Sequence, residues 1–312
     1  MKVTSDSMRI ETFDFNGYQG TVLPAMLWLP DDEPKAILQI THGMTEHIGR
    51  YEVFAQKMTA RGIAVAGYDL RGHGRNLGNP DVASFGKEGW DASLQDMRRF
   101  FDFLAARFPG VLHHMLGFSL GSFLLCEYLG KWPAGVSSAI IMGTGKQPGF
   151  VLSIMMAIVK GQIKKGGFDN TTDLVRQLSF GTYNQKFKPN RTASDWLCAD
   201  TAQLEGYIAD PLCRKDISSG LFWQLLDAMK RTGGKDAYSN WNKDMPVLLI
   251  SGQDDPVGDM GKGVLAVKKQ MDNAGMKRVS IHRLPGARHI VLNEEACGAA
   301  GKAYSLIADW IG

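Results

Sequence analysis

The chain has 312 residues, of which 44% are hydrophobic and 21% are charged, as in an ordinary globular protein with a large apolar core. Its formal net charge of +3 is too small to indicate a nucleic-acid surface or an acidic partner. Four cysteines without zinc-type spacing favour a reducing compartment over a disulfide framework, and residues 1–16 lack the apolar segment of a secretory signal. We therefore expect a cytoplasmic protein that binds no nucleic acid, of unknown oligomeric state.

Strand-like runs alternate with amphipathic helical stretches in both halves of the chain. The expected strands cover residues 21–29, 36–41, 63–69, 112–118, 136–142, 247–251 and 279–284. The expected helices cover about residues 51–61, 90–108, 122–130, 261–274 and 294–311. This order predicts an α/β protein with a mostly parallel central sheet flanked by helices.

Residues 145–244 interrupt this alternation, because they contain few strand-like runs and several helical ones. They predict an α-helical cap inserted into a core of residues 1–144 and 245–312. The first cap helix, residues 150–159, is apolar apart from Ser153 and is followed by three lysines. It is too short to span a bilayer, which needs about 20 residues. It is either buried against the active site, which we favour, or in transient contact with a membrane or micelle surface.

Ser119 lies between a predicted strand and a predicted helix, in the pentapeptide Gly117-Phe118-Ser119-Leu120-Gly121. The two glycines let the strand and the helix approach closely, so that the serine hydroxyl projects above the sheet edge where a substrate carbonyl can reach it. In a chain with 36 glycines this pentapeptide arises easily by chance. Its importance therefore depends on the partners of Ser119.

A serine hydroxyl becomes an effective nucleophile when an imidazole accepts its proton and a carboxylate orients that imidazole. In sheets of this kind the order along the chain is Ser, Asp and His, each at the carboxyl end of a strand. Asp255 and His289 each follow a predicted strand, so the predicted triad is Ser119, Asp255 and His289. Asp254 is the alternative carboxylate, and Asp255 is favoured because the residue before Pro256 is held extended.

Acyl transfer also needs hydrogen-bond donors for the oxyanion, and backbone amides near a helix start provide them. Leu120, directly after the nucleophile, offers one amide. Met44, which follows Gly43 in the loop after the strand of residues 36–41, offers the second. His47 and His73 are loop residues that we expect to support the site without transferring protons.

Five motifs along the chain resemble those of one known family. They are His42-Gly43-Met44-Thr45-Glu46-His47 with Arg50-Tyr51, then Asp69-Leu70-Arg71-Gly72-His73-Gly74, Gly117-Phe118-Ser119-Leu120-Gly121, Asp255-Pro256-Val257 and Arg288-His289. In this order they resemble the monoacylglycerol lipase and lysophospholipase branch of the serine α/β-hydrolases. Cap segments also resemble bacterial members, namely Arg191-Thr192, Asp195-Trp196-Leu197, Tyr207 and Asp210-Pro211. The resemblance implies an α/β-hydrolase fold with a cap, hydrolysis of an acyl ester, and no metal or organic cofactor. Phe118, Leu120 and Ile290 depart from the residues common in that family.

The expected substrate is a small-molecule acyl ester with a medium or long chain, such as a monoglyceride or a lysophospholipid. A short-chain carboxylesterase or an acyl-thioesterase is the alternative within the same class. A hydrolase-fold receptor that has lost catalysis is the alternative of another class, and it would show a broken triad or a blocked oxyanion loop. The expected substrate contacts are Phe118, Phe150, Ile154, Met155, Trp196, Phe222 and Trp223.

Overall fold

The computed structural model describes residues 8–76, 78–214 and 216–312, and its centre is one eight-stranded sheet. All neighbouring strands in it are parallel except in the two pairs that the second strand makes. In their spatial order the strands are β1 (Arg9–Asn16), β2 (Val22–Leu29), β4 (Ile63–Tyr68), β3 (Ala36–Thr41), β6 (Leu112–Phe118), β7 (Ser138–Met142), β9 (Val247–Gly252) and β10 (Val279–Leu284). Two further short strands, β5 (Val82–Ala83) and β8 (Asp216–Ile217), pair with each other. The predicted mostly parallel sheet is confirmed.

Helices cover both faces of this sheet. The helices α2 (Gly89–Arg107), α3 (Leu120–Lys131) and α8 (Lys262–Asn273) pack on one face, and α1 (Glu52–Thr59) and α9 (Ala299–Ile311) pack on the other. Each face has its own cluster of buried apolar side chains. Because water reaches neither face of the central strands, they are almost continuously apolar, and every residue of β4 is buried.

The edge strand β1 was not among the strands predicted from the sequence. Phe15 is buried in it and its ring lies 6.1 Å from that of Tyr68, whereas the residues on the other side of the strand are exposed. An edge strand with one face in water alternates apolar and polar residues. Five of its eight residues are charged or polar, which hides the strand in the sequence.

Residues 145–244 connect β7 to β9 and contain α4 (Gly149–Gly166), α5 (Asp173–Arg176), α6 (Thr201–Ala209) and α7 (Ser219–Thr232). The helix α4 packs against α7, and α7 packs against α3 of the sheet layer. The pairing of β8 with β5 joins the same segment to the core by a second route. The division into a core of residues 1–144 and 245–312 and a cap of residues 145–244 stays a prediction.

The helix α4 is longer than the predicted helix of residues 150–159, because the half-buried Ile163 continues its packing beyond the lysine at 160. Only one side of α4 is buried, through Leu152 and Val159. Phe150 and Ile154 on its outer side are 70% and 59% exposed. The helix is therefore neither buried on all sides nor fully exposed: one side packs against the protein and the other faces solvent. Among the described residues, no helix combines the length and the apolarity that crossing a membrane requires.

The turn from β6 into α3 is packed so closely that only glycine fits at its two ends. A Cβ at Gly117 would lie 2.4 Å from the carbonyl oxygen of Gly121, and a Cβ at Gly121 would lie 2.0 Å from that of Thr41. Thr41 is the last residue of β3, which pairs in parallel with β6. The glycines therefore bring the start of α3 against the end of β3, next to the loop that follows this strand.

Candidate active site

Ser119 occupies the apex of the turn between β6 and α3. Its backbone has φ 50° and ψ −114°, a conformation that residues other than glycine rarely adopt. Two bonds hold it there: the Ser119 N–H donates to the Met142 carbonyl at 2.9 Å, and the Ser122 hydroxyl donates to the Ser119 carbonyl at 2.6 Å. Strained backbone held by its surroundings is a common feature of functional sites.

The structure brings Ser119, His289 and Asp255 into one chain of hydrogen bonds. His289 Nε2 lies 2.9 Å from Ser119 Oγ, and His289 Nδ1 lies 3.0 Å from Asp255 Oδ2. Asp255 is fully buried, and its other oxygen accepts the Val257 N–H at 2.9 Å. Because a carboxylate only accepts hydrogen bonds, Nδ1 of His289 carries the proton and Nε2 is free to accept one from the serine. The neighbouring Asp254 makes no such contact and is half-buried, with its backbone N–H bonded to Ala287.

Aromatic rings surround the imidazole of His289. The ring of Phe118 lies 4.9 Å away between centroids, and the ring of Trp196 lies 5.3 Å away. These contacts leave His289 only 3% exposed. The imidazole is thus shielded from water on the sides that do not face Ser119 or Asp255, which strengthens its hydrogen bonds.

The two predicted oxyanion donors belong to different elements near Ser119. Leu120 begins α3, so its N–H belongs to the first turn and has no partner within the helix. Met44 lines the same cavity as Ser119 and His289. It belongs to the loop after β3, and the glycine packing described above holds that strand end against α3. The assignment of the Met44 and Leu120 amides as oxyanion donors stays a prediction.

A cavity of about 620 Å³ opens above Ser119, a size typical of ligand pockets. Its inner part is formed by buried side chains that include Phe118, Trp196 and Leu197. Exposed residues of the segment 145–244, among them Asp173, Arg176 and Ile208, surround its mouth. The nucleophile therefore lies at the bottom of a largely apolar pocket that opens through the inserted segment.

Of the seven residues predicted to contact substrate, only Phe118 and Trp196 line this cavity. Phe150 and Ile154 are on the outer side of α4, and Met155 packs half-buried against the core. Phe222 is buried in that core, and Trp223 lines a different cleft, with residues of α2 and α3. These five assignments need correction: α4 packs on α7 and α7 packs on α3, which directs their apolar side chains away from Ser119.

Several cavity residues were missed as substrate contacts, notably Phe180, Leu197, Tyr207 and Ile208. Two of them, Leu197 and Tyr207, lie in cap segments already noted for their family resemblance. That resemblance was the available signal. Phe180 and Ile208 have no such signal, since the sequence around them does not show which side chains point into the cavity.

The two histidines expected to support the site, His47 and His73, make contacts outside the predicted triad. His47 Nε2 lies 2.8 Å from Asp210 Oδ2, which joins the loop after β3 to the inserted segment. His73 is fully buried, its Nδ1 lies 2.8 Å from the Arg71 carbonyl, and burial lowers its pKa to about 3. His73 therefore stays neutral near pH 7 and does not exchange protons with substrate.

Three side chains near the loop after β3 have the chemistry of metal ligands. Among the described residues, His47, Asp210 and Cys213 bring ligand atoms within 4.8 Å of one another. Arg50 interacts with the Cys213 thiol and adds a fixed positive charge beside the cluster. His47 and Asp210 are already bonded to each other. We therefore assign no metal to this cluster.

The fold and the serine turn define this protein as an α/β-hydrolase. A family model described as "Serine aminopeptidase, S33" matches residues 32–296, and the chain belongs to this family. The resemblance inferred from the five motifs is confirmed by this match and by the relatives below. The chain is an enzyme of the hydrolase class.

Similar proteins include named lipases and an esterase of known structure. The chain is 24% identical to a monoacylglycerol lipase of Mycolicibacterium smegmatis over 90% of each chain. It is 35% identical to a monoglyceride lipase homolog of Monkeypox virus over 75% of each chain. A thermostable carboxyl esterase from Bacillus coagulans, solved in complex with glycerol, superposes with a TM-score of 0.88 over 98% of each chain at 24% identity. At that identity the structural likeness establishes the fold alone.

Proposed function

We propose that the protein hydrolyses carboxylic acyl esters through an acyl-enzyme on Ser119, with monoglycerides as its leading substrate class. The observation that carries this proposal is the unbroken hydrogen-bond chain from Ser119 through His289 to the buried Asp255, at the bottom of an apolar cavity. The names of the curated relatives support the same substrate class.

In the proposed mechanism, His289 Nε2 accepts the proton of the Ser119 hydroxyl as Ser119 attacks the ester carbonyl. The amides of Met44 and Leu120 stabilise the oxyanion of the tetrahedral intermediate. His289 then donates that proton to the leaving alcohol, and the same imidazole activates a water molecule that frees the acyl group. Asp255 holds the ring and stabilises its charged form in both steps.

An ester explains the cavity better than a peptide with a free amino terminus, which the family description alone would suggest. Recognition of an ammonium group needs an unpaired carboxylate. Glu46 and Asp173 are the carboxylates among the described cavity residues. Glu46 accepts the Gly43 N–H and pairs with Arg50, and Asp173 pairs with Arg176. Both are already engaged, which supports an uncharged substrate.

A glycerol head group is favoured over a phosphate for a similar reason. Arg176 and Arg214 line the described part of the cavity and would be the natural phosphate ligands. Arg176 is paired with Asp173 and Asp216. Arg214 donates from its guanidinium to backbone carbonyls, including that of Gly74 at 2.8 Å. Both guanidiniums are already bonded to protein groups, and Nε is the one nitrogen of Arg214 without a partner among the described residues, so we place lysophospholipids behind the monoglycerides.

This substrate assignment is tested by comparing kcat/KM for esters that share one acyl chain. A monoglyceride is expected to exceed the matching lysophospholipid by about tenfold or more, which is about 1.4 kcal/mol of transition-state binding. The matching acyl thioester, a two-carbon aryl ester and an aminoacyl anilide complete the series. If the lysophospholipid, the thioester or the short ester is turned over as fast or faster, that compound's class would replace monoglycerides as the proposed substrate. Release of aniline alone would overturn the ester assignment.

We further propose that the outer side of α4 contacts the lipid or micelle surface that carries the substrate. Phe150, Ile154 and Ile158 follow one another at four-residue spacing and are 70%, 59% and 39% exposed. Lys160, Lys164 and Lys165 at the end of the helix supply positive charge for an anionic surface. Such a row of apolar side chains beside basic residues is typical of interfacial helices.

Replacing both Phe150 and Ile154 with Ser is expected to weaken binding to vesicles of phosphatidylglycerol and phosphatidylcholine by about tenfold or more. Full insertion of each apolar side chain contributes about 1.5–3 kcal/mol to the free energy of binding. Co-sedimentation measures the partition coefficient. Leu265→Ser, which alters a 42% exposed leucine on α8, is the matched control and should bind like the wild type. Undiminished binding of the double variant would contradict the contact.

Residues 145–244 act as the cap of the enzyme in this proposal, since they form the mouth of the cavity. We infer a cytoplasmic location, which is supported by four free cysteines. A receptor that has lost catalysis receives no support from the described residues, because the bonds from Ser119 to His289 and from His289 to Asp255 are both made.

A further inference from the structure

Three consecutive peptide groups of the loop after β3 are each held by a side chain. Gly43 N–H donates to Glu46 Oε1 at 2.7 Å. The Gly43 carbonyl lies 2.7 Å from His42 Nδ1, and the Met44 carbonyl accepts the Thr45 hydroxyl at 2.5 Å. The Met44 N–H belongs to the peptide group whose carbonyl is that of Gly43, and Met44 lines the cavity. The loop is therefore fixed on both sides of the proposed oxyanion donor.

The state of His42 follows from its second contact. The Leu70 N–H donates to His42 Nε2 at 2.9 Å, so Nε2 is unprotonated and Nδ1–H donates to the Gly43 carbonyl. Burial lowers the pKa of His42, which keeps the ring neutral. In a trans peptide the C=O and the N–H point in opposite directions. Fixing the Gly43 carbonyl therefore fixes the direction of the Met44 N–H.

Thr45 is the member of this set that depends on residues outside the loop. Its φ of 65° lies in the left-handed region, which is unfavourable for a β-branched side chain. Two contacts from the inserted segment oppose this strain. Tyr207 OH lies 2.7 Å from Thr45 Oγ1, and the Arg214 N–H donates to the Thr45 carbonyl at 2.8 Å. Since Thr45 Oγ1 donates to Met44, the tyrosine hydroxyl is the donor to Thr45.

The environment of Tyr207 suits this donor role. Burial raises the pKa of its phenol, so the hydroxyl stays protonated. The guanidinium of Arg50 lies 4.9 Å from the centre of the tyrosine ring and holds the ring in place. Arg50 in turn pairs with Glu46, which holds Gly43. The ring position and the hydroxyl contact are thus separate, and removing the hydroxyl leaves the ring packing intact.

We propose that Tyr207 is a positioning residue for ester hydrolysis: through Thr45 it keeps the Met44 amide aimed at the oxyanion. This inference rests on the proposed function, because it requires Met44 as an oxyanion donor. Its consequence is that the inserted segment does more than cover the cavity. A hydroxyl on α6 completes the hydrogen-bond set of a loop that belongs to the sheet layer.

The test is Tyr207→Phe, assayed on a monoglyceride and on an aryl ester of the same chain length. We expect kcat to fall about tenfold, which corresponds to about 1.4 kcal/mol, with KM changed less than twofold. A trifluoromethyl ketone, whose serine adduct carries an oxyanion, should bind more weakly by the same factor. Tyr304→Phe, which loses a comparable bond from a tyrosine hydroxyl to the Leu292 carbonyl, is the control and should keep wild-type kcat.

A double-mutant cycle separates positioning from packing. Thr45→Val removes the hydroxyl that connects Tyr207 to Met44, so Tyr207→Phe should add less than a twofold further loss in that background. Thr45→Ser keeps the hydroxyl and should recover most of the activity that Thr45→Val loses. The inference would be overturned if the loss of kcat in the double variant equalled the product of the losses in the two single variants. Unchanged kcat in Tyr207→Phe with only a lower melting temperature would overturn it as well.

Failure of this inference and failure of the proposed function give different results. If Ser119→Ala is inactive while Tyr207→Phe has full kcat and full affinity for the ketone, only the role of Tyr207 is lost. If Ser119→Ala keeps wild-type ester hydrolysis, the proposed function is lost whatever Tyr207→Phe does. Both variants are therefore measured in the same assay.

Discussion

Ser119→Ala is expected to lower kcat for ester hydrolysis by a factor of a thousand or more while the fold remains intact. The substitution removes the atom that forms the acyl-enzyme, and the residual rate then comes from substrate binding and the oxyanion donors alone. Folding should be unaffected, because the bonds that hold the strained turn involve the backbone of Ser119 and the hydroxyl of Ser122, which remain.

Steady-state rates on a monoglyceride, with thermal unfolding of both proteins, check this prediction. The melting temperatures should agree within a few degrees, which corresponds to about 1 kcal/mol for a domain of this size. A variant that keeps more than a tenth of the wild-type kcat would show that Ser119 is not the nucleophile. A large drop in melting temperature would instead require Ser119→Cys as a second nucleophile variant, which should form a thioester intermediate on the same turn.

Asp255→Asn is expected to lower kcat by about ten-thousandfold, the loss seen when a triad carboxylate becomes an amide. The carboxylate accepts two hydrogen bonds, from His289 Nδ1 and from the Val257 N–H. An asparagine has only one oxygen, so its NH2 group must face one of these two donors. If it faces His289, the imidazole moves its proton to Nε2 and can no longer accept one from Ser119.

The neighbouring Asp254 provides a matched control for this change. It is half-buried and its backbone N–H donates to the Ala287 carbonyl, whereas Asp255 accepts the hydrogen bond from His289 Nδ1. Asp254→Asn removes the same charge one residue away and should keep kcat within about threefold of the wild type, as expected for a substitution outside the hydrogen-bond chain. The account would be contradicted if Asp254→Asn were the inactive variant or if Asp255→Asn kept full activity.

The three side chains of the hydrogen-bond chain at Ser119 could be predicted from the sequence because strand ends fix their positions. Ser119, Asp255 and His289 each follow a parallel strand, and parallel strands place their carboxyl ends along one edge of the sheet. A short motif within a few residues of each strand end therefore shows that its side chain lies at this edge of the sheet. The preference for Asp255 over Asp254 came from Pro256, whose ring restricts the backbone before it.

The cavity walls could not be predicted in this way. Phe150 and Phe222 were expected to contact substrate because they are large, apolar and in the inserted segment. The helix α4 packs on α7, and α7 packs on α3, which leaves Phe150 in water and Phe222 in the core. Phe180 lines the cavity instead, from an irregular turn at residues 177–181. Side-chain direction in such turns depends on tertiary packing, which sequence periodicity does not record.

The contact between Thr45 and Tyr207 joins residues 162 positions apart, and it was also beyond the reach of sequence analysis. Both residues lie in segments noted for their family resemblance, but a motif gives no information about which hydroxyl meets which. The left-handed backbone of Thr45 is likewise unexpected for a β-branched residue. It becomes understandable once the bonds from Tyr207 and Arg214 are known.

The most direct test of the central claim is to trap the acyl-enzyme. An acyl aryl ester is mixed with the protein, the reaction is quenched in acid within milliseconds, and the digested protein is analysed by mass spectrometry. We predict that the acyl group is found on the peptide containing Ser119, and that Ser119→Ala carries none. An acyl group on another residue, or turnover with no acylated peptide at any time point, would contradict the account.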